Sequence, residues 1–185
     1  MNDKLFIRGK VPMTKEEIRT ISLAKLNLKE ATSFLDIGAG TGSISIEACI
    51  EYPQLSVTAI ETKQEAVDLI LENQKKFNVS NLTVINDKAP IETEKVFNSI
   101  FVGGSGGNLE DILTWSFEHL TVNGSLVLNF ILLENAISAF KWFEERDIPY
   151  SSVQVQVGNG TKLGSGHYFK SLNPVIIIEA KKEEC

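Results

Sequence analysis

The sequence predicts an α/β domain built on a mostly parallel sheet, on three observations. Short apolar runs alternate with amphipathic helical patterns along the chain, which is the signature of βαβ units. A glycine-rich run, Asp36-Ile37-Gly38-Ala39-Gly40-Thr41-Gly42, stands where the first strand hands over to a helix. An acidic residue, Glu61, closes the second strand, 19 residues after Gly42.

The elements follow in order. Thr14 and Glu17 have the spacing of a capping box, and Ile18, Ile21 and Ala24 recur at helical spacing, so an opening helix is expected over 14–26. Residues 33–37 form the first strand, and a helix runs from the glycines to Ile50. Pro53 punctuates the connection to residues 56–60, a second strand dominated by β-branched side chains. Thr62 and Glu65 repeat the capping box, and Ala66, Leu69, Ile70, Asn73 and Phe77 trace one helix face. Strands are expected at 82–85 and 99–102, then a helix marked by Leu109, Ile112, Leu113, Phe117 and Leu120. Asn123-Gly124 reads as a turn into a fifth strand at 125–130. The next helix carries Ala136, Ile137, Phe140 and Phe143 on its inner face. Val153, Val155 and Val157 alternate with Gln154 and Gln156, as in a half-exposed strand, whereas 175–178 is continuously apolar and should be buried on both faces. These two strands pair antiparallel. The 13 residues between them, Gly158 to Lys170, read as a loop too long for an ordinary hairpin connection, either functional or a mobile surface segment or subunit contact.

Composition narrows the function. With 185 residues and 43% hydrophobic content, one domain spanning 1–185 can bury its own core. A net charge of -6 gives no surface-wide positive field, which argues against nucleic acid as a partner. Cys49 and Cys185 form neither a CxxC pair nor a metal-ligand spacing, which fits a reduced, cytoplasmic setting. The N-terminal stretch lacks a signal-peptide apolar region, and no run is long enough to span a membrane. No metal cluster, Ser-His-Asp set or Walker loop is visible. Trp115 and Trp142 read as core, and His119 as a helix-surface residue.

The glycine run carries the chemistry. Positions without side chains let the backbone pass close to a ligand, and the free N–H groups at a helix start favour an anionic or carboxylate-bearing group. The spacing is GxGxG, which departs from the GxGxxG dinucleotide fingerprint. A carboxylate at Glu61 can accept both hydroxyls of an unphosphorylated ribose. Together they predict a nucleoside ligand. Asp36 either joins that ligand or braces the loop.

Four stretches make a more specific resemblance: Val11-Pro-Met-Thr-Lys-Glu-Glu-Ile-Arg19, Asp36–Gly42, Val102-Gly-Gly-Ser-Gly-Gly107 and Ser171-Leu-Asn-Pro-Val175. In these the chain resembles the decarboxylating cobalt-precorrin-6B C(15)-methyltransferases of cobalamin biosynthesis. The resemblance implies a Rossmann-like class I fold, S-adenosylmethionine as cofactor and a tetrapyrrole, a cobalt-precorrin, as substrate. It also implies a homo-oligomer, a tetramer. By matching position, Thr14, Gly38, Ala39, Gly40, Thr41, Gly42, Glu61 and Ala89 would contact the cofactor. The implied reaction is methylation at C(15) with loss of carbon dioxide from the C(12) acetate. It assigns no catalytic residue.

Substrate-side candidates follow. Gly103, Gly104, Ser105, Gly106 and Gly107 stand after the fourth strand, where amino-group methyltransferases carry an Asn/Asp-Pro-Pro-aromatic motif; a glycine floor suits a flat, bulky substrate, or is a flexible turn. Arg8, Lys10, Lys15 and Arg19, and in the late segment Lys162, His167 and Lys170, are cations that can meet a polycarboxylate macrocycle. Two rivals stay open: a methyltransferase acting on RNA or protein, and a non-catalytic module that binds S-adenosylmethionine.

Overall fold

Helix α1 (Glu16–Lys25) leads into β1 (Ser33–Ile37), α2 (Ser43–Glu51), β2 (Ser56–Glu61), α3 (Gln64–Lys76) and β3 (Leu82–Asn86). Then come β4 (Phe97–Val102), α4 (Leu109–Glu118), β5 (Leu120–Phe130) and α5 (Leu133–Glu144), and last β6 (Tyr150–Val155), β7 (Gly158–Leu163), β8 (Gly166–Ser171) and β9 (Val175–Lys181). These elements come from a computed structural model that describes residues 1–184; Cys185, noted above for its lack of a partner cysteine, lies outside the described residues.

Seven strands form one sheet in the order β3-β2-β1-β4-β5-β9-β6. The pairs from β3 through β5 are parallel, and β9 returns between β5 and β6, antiparallel to both. This is the Rossmann-like α/β architecture that the βαβ pattern predicts. Strand alternation divides the core into two layers. Phe34, Phe101 and Val127 face Leu23, Ala48 and Ile70 of the first three helices. Leu35, Ile100 and Leu128 face Leu113, Ala139 and Phe143 of α4 and α5. The helices change sides because right-handed crossovers run in opposite directions on either side of β1 and β4. Ile177 and Ile178 are both fully buried, as a strand flanked on both edges and both faces requires. Among the described residues no helix is long and apolar enough to cross a membrane.

Several local expectations are corrected. The caps of α1 and α3 are Lys15 and Lys63, and neither makes a side-chain cap bond. The Thr62 hydroxyl instead donates to Glu61 Oε1 at 3.3 Å. Asn123-Gly124 is not a turn ahead of β5 but lies within it: Asn123 has φ 62° and donates its N–H to Lys182 O, and Lys182 N–H returns to Gly124 O, so the irregular stretch is held by the chain beyond β9. Ile137 is 42% exposed and sits on the outer side of α5, where Ala136, Ala139, Trp142 and Phe143 are buried. Residues 158–170 are not an irregular loop. They belong to the β7–β8 hairpin, a two-stranded sheet of its own turning through Gly164 at φ 59°. His119 packs more tightly than a surface residue: its ring stacks on Trp115, and its two nitrogens reach Trp115 O and Thr93 O.

Candidate functional site

The strand order reverses between β1 and β4, and a cavity of about 770 Å³ opens at the carboxyl ends of these strands. Such a reversal leaves a crevice because the two neighbouring connections depart to opposite faces. The first wall is the glycine loop. Gly38 has φ 70°, and a Cβ there would stand 2.7–2.9 Å from Gly104 O, N and Cα, so the loops after β1 and β4 press backbone against backbone. Gly40 meets Pro12 O in the same way, at 3.0 Å from a built Cβ, which places the N-terminal segment over the loop.

Glu61 locks this wall to the next. Its Oε2 accepts the Gly40 N–H at 2.9 Å, and its Oε1 accepts the N–H groups of Thr62 and Lys63 at 2.9 and 3.0 Å. The carboxylate is buried; Oε1 is filled by these two N–H groups and the Thr62 hydroxyl, while Oε2 has lone-pair capacity for a further donor. Asp36 lies beneath the loop. Ser45 Oγ donates to its Oδ2 at 2.5 Å, while Oδ1 has no partner. Burial pushes its carboxyl up to about 7, a rise the Ser45 bond opposes and the nearby Glu61 charge reinforces. Burial likewise pushes the Cys49 thiol up to about 12, so it is an inert core residue.

The N-terminal segment forms the roof, pinned by Arg19. That side chain is fully buried. Its Nε donates to Glu47 Oε2 at 2.5 Å, Nη1 donates to Asp3 Oδ1 and to Thr14 O, and Nη2 donates to Met1 O. Glu47 Oε1 also takes the Met1 amine at 2.6 Å. Ile7 is held separately, exchanging both its backbone groups with the Asn73 amide. Between these two anchorages Val11–Lys15 run along the cavity.

Most of the sequence candidates converge here. Thr14, Gly38, Ala39, Gly40, Glu61 and Ala89 line the cavity, whereas Thr41 and Gly42 stand behind the loop, Gly42 against Ile70. Gly103, Gly104, Ser105 and Gly106 line it too, and Gly107 lies just outside. Arg19, grouped by sequence with the cations available to a substrate, is instead consumed by internal ion pairs. Lys15 does reach the lining, as do Lys63 and Lys88, which sequence reasoning passed over. Lys162, His167 and Lys170 are exposed on the β7–β8 hairpin, outside the lining. The hairpin register pairs Lys162 with His167 and Lys170 with Asn159. Opposed residues share a face and faces alternate, so Lys162 and His167 stand on one side and Lys170 on the other. The base of the hairpin, Val157 with Leu172 and Asn173, does line the cavity, and so do Asn129 and Ile131 from the end of β5. A signal for these last two existed: they fall where β5 reaches the same sheet edge as the glycine loops.

Residues 5–182 match the family described as the precorrin methyltransferase domain. The chain is 44% identical to the cobalt-precorrin-6B C(15)-methyltransferase (decarboxylating) of Salmonella typhimurium, over 100% of this chain and 97% of that one. A solved precorrin-6y C5,15-methyltransferase from Geobacter metallireducens superposes with a TM-score of 0.91 at 34% identity, covering 98% of this chain and 96% of that one. The precorrin 8w decarboxylase of Methanobacterium thermoautotrophicum superposes with a TM-score of 0.89 at 26% identity, over 97% and 98% of the two chains.

Proposed function

This chain belongs to the precorrin methyltransferase family, and on that premise we propose that it methylates C(15) of a late cobalt-precorrin, with decarboxylation of the C(12) acetate, using S-adenosylmethionine. The observation that carries the reading is the 44% identity to the Salmonella enzyme of that name, which extends over the entire chain.

The residues at the strand reversal suit the cofactor. Gly38 and Gly40 let the loop close tightly against Gly104 and Pro12 around the cavity, Glu61 Oε2 has acceptor capacity left for a ribose hydroxyl, and Asp36 Oδ1 is a buried polar atom without a partner. Thr14, Gly38, Ala39, Gly40, Glu61 and Ala89 would hold it, with Thr41 and Gly42 shaping the loop from behind. When bound, S-adenosylmethionine supplies a methyl group already activated by a sulfonium. What remains for the protein is alignment and exclusion of water, so no general base is assigned.

On the substrate side, Gly103, Gly104, Ser105, Gly106 and Gly107 offer a floor without side chains to a flat macrocycle. Gly106 and Gly107 have nothing within 4 Å of a built Cβ, which leaves that floor open. Lys162 and His167 on one face of the hairpin, and Lys170 on the other, are the polar donors offered to rim carboxylates. The hairpin that carries them also exposes Leu163 and Phe169, at 70% and 77%, which suits contact with another copy of the chain, in line with the homo-oligomer, a tetramer, that the family resemblance implies. In this reading the chain works as a single cytoplasmic domain without nucleic acid or membrane.

Label transfer tests the proposal. With methyl-labelled S-adenosylmethionine and a late cobalt-precorrin, bulk RNA and bulk protein offered together, label should enter the tetrapyrrole alone. Label in RNA or protein would overturn the substrate, and cofactor binding without transfer would make this a binding module.

A further inference from the structure

Charge is divided unevenly between the two halves of the cavity. Asp36, Glu61, Lys63, Asp87 and Lys88 line it at the carboxyl ends of β1, β2 and β3, so three carboxylates stand on that half. The other half is walled by β4, β5 and the base of the hairpin, and the charged side chain in its lining is Lys15. It holds no carboxylate.

The direction of α1 puts Lys15 on this second half. Asn129 Nδ2 donates to Ser22 Oγ at 2.8 Å, and Lys25 Nζ donates to Glu179 Oε2 at 2.8 Å, where Glu179 pairs with Val127 in the sheet. Asn129 is nearer than Val127 to the carboxyl end of β5, so α1 runs against that strand. Lys15 precedes Ser22 by about two helical turns, or about 10 Å, which carries it past the strand end to where the cavity opens.

The chain itself makes little use of this ammonium. Its ion-pair partner among the described residues is Asp3, whose Oδ2 stands 3.6 Å from Nζ, beyond hydrogen-bond reach. Asp3 is better served by Arg19, which donates to its Oδ1 at 3.1 Å. The neighbouring Glu16 carboxylate accepts from the Asn2 amide instead. Arg19 is fully buried in its own pairs, and Arg8 and Lys10 lie outside the lining. Lys15 is thus a half-buried cation with unspent donors, on an acid-free wall of a chain whose net charge is -6.

We propose that Lys15 takes a carboxylate of the tetrapyrrole inside the cavity and gives up Asp3 as it does so. The inference rests on the tetrapyrrole reading above and adds which residue orients the ring and which one competes for it. The exchange is favourable because a long contact is replaced by charge-assisted hydrogen bonds, of about 2.7–2.9 Å. It also accounts for the uneven charge. The half with three carboxylates suits a sulfonium cofactor and repels an anionic rim, while the half with a lone lysine attracts it.

The experiment measures tetrapyrrole KM and kcat, cofactor Kd by calorimetry and Tm for wild type, Lys15→Gln, Lys15→Arg and Asp3→Asn. Wild-type protein that binds cofactor but leaves the tetrapyrrole untouched overturns the function itself, and that failure is read before any variant is compared. Lys15→Gln should raise KM about tenfold with cofactor Kd and Tm unchanged, and Lys15→Arg should recover most of the loss. Asp3→Asn can still accept from Arg19 but no longer competes for Lys15, so KM should fall about twofold to threefold. An unchanged KM in Lys15→Gln overturns the proposal. So does a cofactor Kd that rises along with KM, which would turn Lys15 toward the carboxylate of the cofactor. A KM that holds or rises in Asp3→Asn overturns it as well, since Lys15 and Asp3 would then serve only to hold the roof.

Discussion

Glu61 Oε2 accepts the Gly40 N–H at 2.9 Å, so the last residue of β2 holds the middle of the glycine loop that follows β1. One carboxylate thereby shapes the loop and remains available to a ligand. Glu61→Ala should weaken S-adenosylmethionine binding by about 1–3 kcal/mol, the cost of losing a buried charge-assisted partner. Calorimetry measures it. Unchanged affinity would move the acidic role to Asp87, which lines the same cavity.

The contact between Gly38 and Gly104 makes a paired prediction. Gly38→Ala puts a methyl 2.7 Å from Gly104 O in a backbone with φ 70°, and should cost about 2–5 kcal/mol in urea unfolding. Gly106→Ala has a similar φ, 56°, but open space, and should cost only the backbone strain, about 1 kcal/mol. Equal losses would show that the two loops do not press together.

Asp36 predicts a pH dependence. Its carboxyl titrates near 7 in the folded protein against 3.8 ordinarily, so between these values the folded state holds a proton that the unfolded state has lost. Stability contributed by this group is thus complete below about pH 4 and declines toward pH 7, by about 4 kcal/mol in total. Asp36→Asn removes the decline, so its Tm should gain on wild type as pH rises from 4 to 7. A gap between the two that stays constant with pH would mean that Asp36 is ionised throughout.

Arg19→Met should cost about 3–5 kcal/mol, because it leaves Glu47 buried without its guanidinium partner. It also frees the segment from Met1 to Thr14 that Arg19 holds by three oxygens, so cofactor affinity should fall along with stability. Loss of stability with cofactor affinity intact would show that the roof over the cavity keeps its form without the latch.

How far the sequence disclosed this molecule depended on how local each signal was. The glycine loop, Glu61 and the buried strand β9 were legible because strand ends and apolar runs declare themselves within a few residues. The capping boxes misled because each helix begins one residue later than the box requires, which puts Lys15 and Lys63 rather than Thr14 and Thr62 at the caps. Arg19 looked like a surface cation since its partners, Asp3 and Glu47, are 16 and 28 residues away. The β7–β8 hairpin was hidden by its glycines, which depress strand propensity even where they make room for Phe169 against Gly158. Asn129 could be placed at the sheet edge from where β5 ends, but its anchorage was hidden, as its partner, Ser22, lies 107 residues back.

Product mass tests the central claim most directly. A late cobalt-precorrin incubated with this protein and methyl-labelled S-adenosylmethionine should yield a product that has gained one labelled methyl and lost one carbon dioxide in the same turnover. A product methylated but still carrying its acetate carboxyl under saturating cofactor, or no change in the tetrapyrrole at all, would contradict the account.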